Sequence, residues 1–178
     1  MHDGYLFILG LCGTASGTSL APTLLSAMLK TVPPVKRAAL LGEVTLLDDW
    51  RSTDDHLLLA AIDDMADAEL LLLVTPARTH GLPLRFQQLL RQSSQTLGKR
   101  LAGRYAVLAV IAEGGDPAAA LTELGEYAEH VGLVVAERLC IGADLSEAEA
   151  LALGNAAALR AYRAARTLAP HALPQPFE

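Results

Sequence analysis

Apolar positions along this chain switch repeatedly between unbroken runs and a helical stripe. Residues 5–11 are nearly all apolar, the mark of a strand buried on both faces. After a short polar loop, Leu20, Leu24, Leu25, Met28 and Leu29 recur on one face of a helix that ends near Lys30, and Pro33 and Pro34 break the chain. The apolar segment 38–47 is interrupted by Gly42 and Glu43, so residues 44–47 are read as its strand, closed by Asp48, Asp49 and Trp50. Asp54 or Asp55 caps a second helix whose Leu58, Ala61, Ile62 and Met65 share one face. Residues 70–75 form a third strand. Residues 76–83 read as a long loop too rich in proline to be regular, and Pro83 opens a third helix carrying Phe86, Leu89 and Leu90.

The second half repeats the pattern. Gly98, Lys99 and Arg100 make a turn before a fourth strand over 105–112. Asp116 and Pro117 then supply an N-cap and a first helical residue, and Leu121, Leu124, Ala128 and Val131 face inward until Gly132 ends the helix. Residues 133–141 hold the fifth strand. Ser146 and Glu149 match a capping box for a last helix reaching about Leu168, and residues 170–178 are expected to be a loosely held tail. Five apolar strands alternating with five amphipathic helices predict an α/β protein, a doubly wound three-layer sandwich with a parallel sheet covered on both faces. Ligands in such folds bind beyond the carboxyl ends of the strands. Three segments rich in Gly and Pro fall there: 12–19, 75–83 and 113–117.

The first of these has a chemistry of its own. An apolar strand runs into Gly13, Thr14, Ala15, Ser16, Gly17, Thr18 and Ser19, and a helix starts at once. Such a junction aims backbone N–H groups and the positive end of a helix at one point, with hydroxyls as further donors, which suits a phosphate. The same residue types also turn and cap any strand-to-helix junction.

Bulk properties narrow the field. A length of 178 residues suits one domain spanning the whole chain, and 52% hydrophobic with 19% charged residues excludes disorder. A net charge of -6 argues against a nucleic-acid partner. Cys12 and Cys140 each sit in an apolar run and read as buried thiols of a reducing compartment. The first four residues lack the basic start of a signal peptide, and the longest apolar run, 70–74, is too short to span a bilayer. A soluble, cytoplasmic protein without a membrane or nucleic-acid partner is expected.

Other candidates reduce to structural roles. A low-molecular-weight tyrosine phosphatase needs Cys-x5-Arg, whereas the residue at that spacing from Cys12 is Thr18, so Cys12 reads as a buried strand end. Asp63, Asp64, Asp67 and Glu69 read as a solvated face, as do Arg160, Arg163 and Arg166 on the last helix. No spacing matches a structural zinc site.

The first loop resembles the Gly-Ser-x-Arg-x-x-Ser phosphate loop of the flavodoxin-like NAD(P)H-dependent FMN reductase family, and still more the Thr-x-Thr-Gly-x-Thr loop of flavodoxins proper. The stretch Ala66, Asp67, Ala68, Glu69, Leu70 to Thr75 and Pro76, followed by Gly81, Leu82, Pro83 and a helix, is similar to that family's ADxxxxxTPxYxxxxPxxLKxxLD segment. Gly98-Lys99, the next strand and Gly114-Gly115 fall where the family has a GK, a strand and a glycine-rich loop. The resemblance implies a five-stranded flavodoxin-like sheet of order 2-1-3-4-5 and FMN held by the three loops. Thr14, Ser16, Thr18 and Ser19, with Gly13, Ala15 and Gly17, would surround its phosphate. Pro76, Ala77, Arg78 and Thr79 would line the ring, with His80 and Gly81 in the same loop and Gly114 and Gly115 beside it. It implies hydride transfer from NAD(P)H to the flavin and on to free flavin or a quinone, needing no protein acid or base. It also implies a homo-dimer or homo-tetramer. The family's loop arginine falls at Ser16, and its ring-side tyrosine at Arg78. Two other functions therefore stay open: a flavodoxin-like electron carrier, and a flavodoxin-fold binding or assembly protein without flavin.

Overall fold

Successive side chains on the central strands enter different halves of the core, and this alternation organises the molecule. The computed structural model describes residues 6–33, 35–42 and 56–168. In chain order they form β1 (Ile8–Cys12), α1 (Leu20–Thr31), β2 (Lys36–Leu40), α2 (His56–Asp67), β3 (Leu70–Ala77), α3 (Leu84–Leu97), a 3-10 turn (Gly98–Leu101), β4 (Tyr105–Ala112), α4 (Pro117–Val131), β5 (Val134–Ile141) and α5 (Glu147–Leu168). The sheet order is β2-β1-β3-β4-β5 and every pairing is parallel, as the flavodoxin-like expectation requires. Leu9, Leu11, Leu71, Leu73, Leu108 and Val110 join one buried cluster with α2, α3 and α4. Ile8, Cys12, Leu70, Leu72, Val107 and Ala109 join the other with α1 and α5. Two cores on one sheet are what a period of two on buried parallel strands produces.

The local signals act where they were read. Asp116 accepts the Ala118 N–H at 2.9 Å, and Gly132 ends α4 at φ 78°. At the start of α5 the Ser146 N–H donates to Glu149 at 2.9 Å, and Ser146 Oγ accepts the Glu149 N–H at 3.3 Å. The two edge strands differ from the expectation of strands buried on both faces. β2 lies at 36–40, ahead of the 44–47 reading, and only Ala39 of its five residues is buried. β5 is half exposed, so Cys140 is an exposed thiol rather than a buried one. Both strands have a neighbour on one side only, so burial falls away at the rims. On the wet side of α5, Arg160 pairs with Glu137 at 2.6 Å, as its surface reading anticipated. Arg37 likewise pairs with Asp64 at 2.8 Å.

Tyr5, Pro34, the 44–47 strand, the Asp48–Trp50 closure, the Asp54/Asp55 cap and the 170–178 tail lie outside the described residues. Among the described residues, no helix is long and apolar enough to cross a membrane, and no group of His, Cys, Asp and Glu could hold a metal ion.

Candidate functional site

The carboxyl edge of the sheet is built by packing backbone on backbone. Where β1 ends, the Gly13 N–H donates to the Val74 carbonyl at 2.9 Å. A Cβ on Gly13 would lie 2.1 Å from Thr75 Oγ1 and 3.4 Å from Phe86 Cγ, so only glycine lets the first loop rest on that floor. The loop then turns on its own hydroxyls. Thr14 is fully buried, and its Oγ1 accepts the Ser16 N–H at 3.1 Å. The Ser16 and Thr18 hydroxyls meet at 2.8 Å, and Ser19 caps α1 by accepting the Ala21 N–H at 3.1 Å.

The second loop is shorter than its prolines suggest. β3 continues through Pro76 and Ala77, which pair with Ile111 and Ala112 of β4, so the expected irregular loop over 76–83 is corrected to strand followed by a tight turn. Even-numbered β3 residues turn their backbone toward β1, as Leu70 does in donating to Phe7 and Val74 in accepting from Gly13. Pro76 continues that series past the end of β1, where a missing N–H removes no ladder bond. Arg78 and Gly81 then exchange two backbone hydrogen bonds, at 2.8 and 2.9 Å, and close the turn. Behind it, Glu123 of α4 accepts the Leu82 N–H; burial of that carboxyl raises its pKa above the ordinary carboxylate value, against the lowering effect of the bond.

The third loop locks the other two together. A Cβ on Gly115 would lie 2.0 Å from the Arg78 carbonyl oxygen, and Thr79 Oγ1 donates to the Gly114 carbonyl at 3.3 Å. Glu113, the first residue after β4, reaches across to α1. Its Oε1 accepts both Ser19 Oγ and the Leu20 N–H at 2.9 Å, and its Oε2 lies 3.6 Å from Arg78 Nη1.

The expected site residues therefore do come to one edge, but not all face outward. Thr14 and Ser19 are buried, as are Pro76 and Ala77 at the end of β3. Ala15, Gly17 and Thr18 are exposed on one side, and Thr79, His80 and Gly114 on the other, with Arg78 half-buried between them. Glu113 was missed as a site residue. Its partner lies 94 residues away, and the only local signal is an acid placed between a buried strand and Gly-Gly at the ligand edge.

Cys12 lies beneath this edge. Its thiol pKa is pushed up to about 11, first by burial and also by the nearby Glu113 charge, against a lowering backbone hydrogen bond at Thr14. A buried thiol so far from ionising at neutral pH should not react. One maleimide equivalent, at Cys140, is expected on the native protein at pH 7 and two in denaturant. Labelling of Cys12 in the native state would show the edge opening on that timescale.

No family model matches the chain, and no curated protein matches it in sequence. Solved structures do match in three dimensions. A flavodoxin of Streptococcus pneumoniae TIGR4 superposes with a TM-score of 0.63 at 12% identity, over 90% of this chain and 99% of that one. An NADH:FMN oxidoreductase in its apo form gives a TM-score of 0.60 at 17% identity, over 90% of each chain. A flavone reductase gives 0.69 at 14% identity, over 96% of this chain and 66% of that one. With the sheet order and the alternation of strands and helices, these likenesses establish that the chain has the flavodoxin-like fold.

Proposed function

We propose that this protein is a flavin-dependent redox protein that takes electrons from NAD(P)H and passes them to a free flavin or a quinone. The observation that carries the reading is the carboxyl edge itself, where three Gly-bearing loops at the ends of β1, β3 and β4 are tied to one another in a fold shared with a flavodoxin and an NADH:FMN oxidoreductase. The surface left to a ligand suits most of a flavin. Thr18, Thr79 and the backbone at Ala15, Gly17 and Gly114 can bond a polyol chain, and the Arg78 guanidinium can stack on a flat ring. The phosphate of FMN does not fit as well, because the N-terminus of α1 is occupied by the Glu113 carboxylate. A bound flavin would supply the hydride chemistry. The chain's own part is to position the ring and chain of the flavin and to hold the loops around them. Pairing into a homo-dimer or homo-tetramer belongs to the same proposal; exposed Leu40 on the edge strand β2, with exposed Leu57 and Leu59 on α2, supports it.

Riboflavin and FMN fluorescence titrations test this reading. Saturable quenching by the protein, followed by oxidation of NADH or NADPH in the presence of flavin and a quinone, is the expected result. Binding without nicotinamide oxidation would make the protein an electron carrier instead. Glu113 in the anion seat favours a second reading, a flavodoxin-fold binding protein without flavin, and failure of both flavins to bind would establish it over the first.

A further inference from the structure

We propose that Glu113 makes this edge selective for a flavin without a phosphate, riboflavin over FMN. The inference rests on the flavin reading above and names the ligand class within it.

An N-terminal helix end at the carboxyl edge of an α/β sheet is an anion seat, because several N–H groups and the helix dipole point at it. Here the seat is filled from within the chain. The Glu113 carboxylate takes the Leu20 N–H and the Ser19 hydroxyl, both at 2.9 Å, and these are the donors α1 would offer a phosphate. The residue directly follows the last residue of β4, so it competes with any incoming anion at the effective concentration of a linked group, on the order of millimolar or higher. The first loop has no cation to tip that competition, since residues 13–19 contain neither Lys nor Arg. Arg78, the one cation among the described residues of the three loops, already lies 3.6 Å from the second carboxylate oxygen. Asp116, the next acid on the third loop, is spent on the N-cap of α4, and His80 is exposed on the turn. An FMN phosphate, carrying a charge of roughly -1.5 to -2 at neutral pH, meets a carboxylate where it needs donors. Riboflavin ends in a hydroxyl, which can donate to that carboxylate and carries no charge against it.

The test is a pair of fluorescence titrations, riboflavin and FMN, on the wild-type chain and on Glu113→Gln at low ionic strength. Gln keeps an acceptor oxygen for Ser19 and Leu20 while removing the charge. Wild-type protein should bind riboflavin about tenfold or more tighter than FMN, and Glu113→Gln should raise FMN affinity by about tenfold relative to that of riboflavin. On wild-type protein alone, added salt should narrow the gap, because the discrimination is electrostatic. FMN binding as tightly as riboflavin to the wild type would overturn the inference and leave the flavin reading standing, for Arg78 would then have left Glu113 for the phosphate. Equal shifts of both flavins in Glu113→Gln would overturn it as well. Neither flavin binding either protein would overturn the flavin reading and the inference with it.

Discussion

Replacing Gly115 with alanine should dislodge the carboxyl edge while leaving the sheet standing. The new Cβ would lie 2.0 Å from the Arg78 carbonyl oxygen, 2.4 Å from its carbon and 2.9 Å from the Ala77 carbonyl carbon. These are backbone atoms, so no rotamer change relieves the overlap, and either the third loop lifts or the end of β3 shifts. Overpacking of this kind costs about 1–3 kcal/mol, and a clash against main chain belongs at the top of that range. The edge should suffer more than the fold, because Glu113 lies two residues away and its bonds to Ser19 and Leu20 would move with the loop. The measurement is urea unfolding beside ligand titration. The unfolding midpoint should fall with an unchanged slope, and flavin affinity should fall with it. Gly17→Ala is the control: nothing lies within 4 Å of its Cβ, and it should be close to neutral in stability. Equal stability of the two variants would mean that the third loop does not rest on β3 in solution.

The second large effect belongs to Phe86. Its ring is wholly buried, the largest such side chain among the described residues, and it lies beneath Gly13 and the start of the first loop. Phe86→Ala should cost about 3–5 kcal/mol, the usual loss for a phenyl ring removed from a packed core. The loss should also reach the edge, since Gly13 and Thr75 would stand over a void. Leu84, 56% exposed two residues earlier on the same helix, supplies the contrast, and its change to alanine should stay within about 0.5 kcal/mol. A Phe86→Ala loss below about 1.5 kcal/mol would mean the site collapses around the gap and the first loop has another floor.

How much of this was legible from residues alone follows from where each feature gets its energy. α4 and α5 begin and end where Asp116, Gly132 and Ser146 say they should, because a cap is made by neighbours in sequence. β4 runs over the expected residues because it is central and apolar throughout. β2 at 36–40 went unread because an edge strand needs no apolar run: Lys36 and Arg37 open it, exposed, held by pairing with Ile8 and Leu9. β3 outran its reading because a proline is admissible once the neighbour on its side has ended. Cys140 was misplaced for a related reason, since an apolar run at a rim is covered on fewer sides. The loops of the edge were found from their composition. Their internal order was not: that Thr14 turns inward, and that Glu113 reaches α1, depend on contacts between parts of the chain far apart.

The place of β1 in the sheet has a consequence for how the chain must acquire its fold. β1 is first in sequence yet inside the sheet, and Ile8 finds its partner on the β3 side only at Leu70. At ordinary rates of synthesis, the 62 residues from Leu9 to Leu70 take roughly 3–12 s to be added. Over that interval Ile8 can meet α1, Leu9 and Leu11 can meet α2, and β1 can pair with β2, but the strand that completes their burial is still to come. The contacts that close the core are thus delayed ones, and loops of that length are slow to close. Each nascent copy passes through a window in which its most apolar strand is half-partnered, which makes early dilution or shelter by a chaperone a condition for high yield.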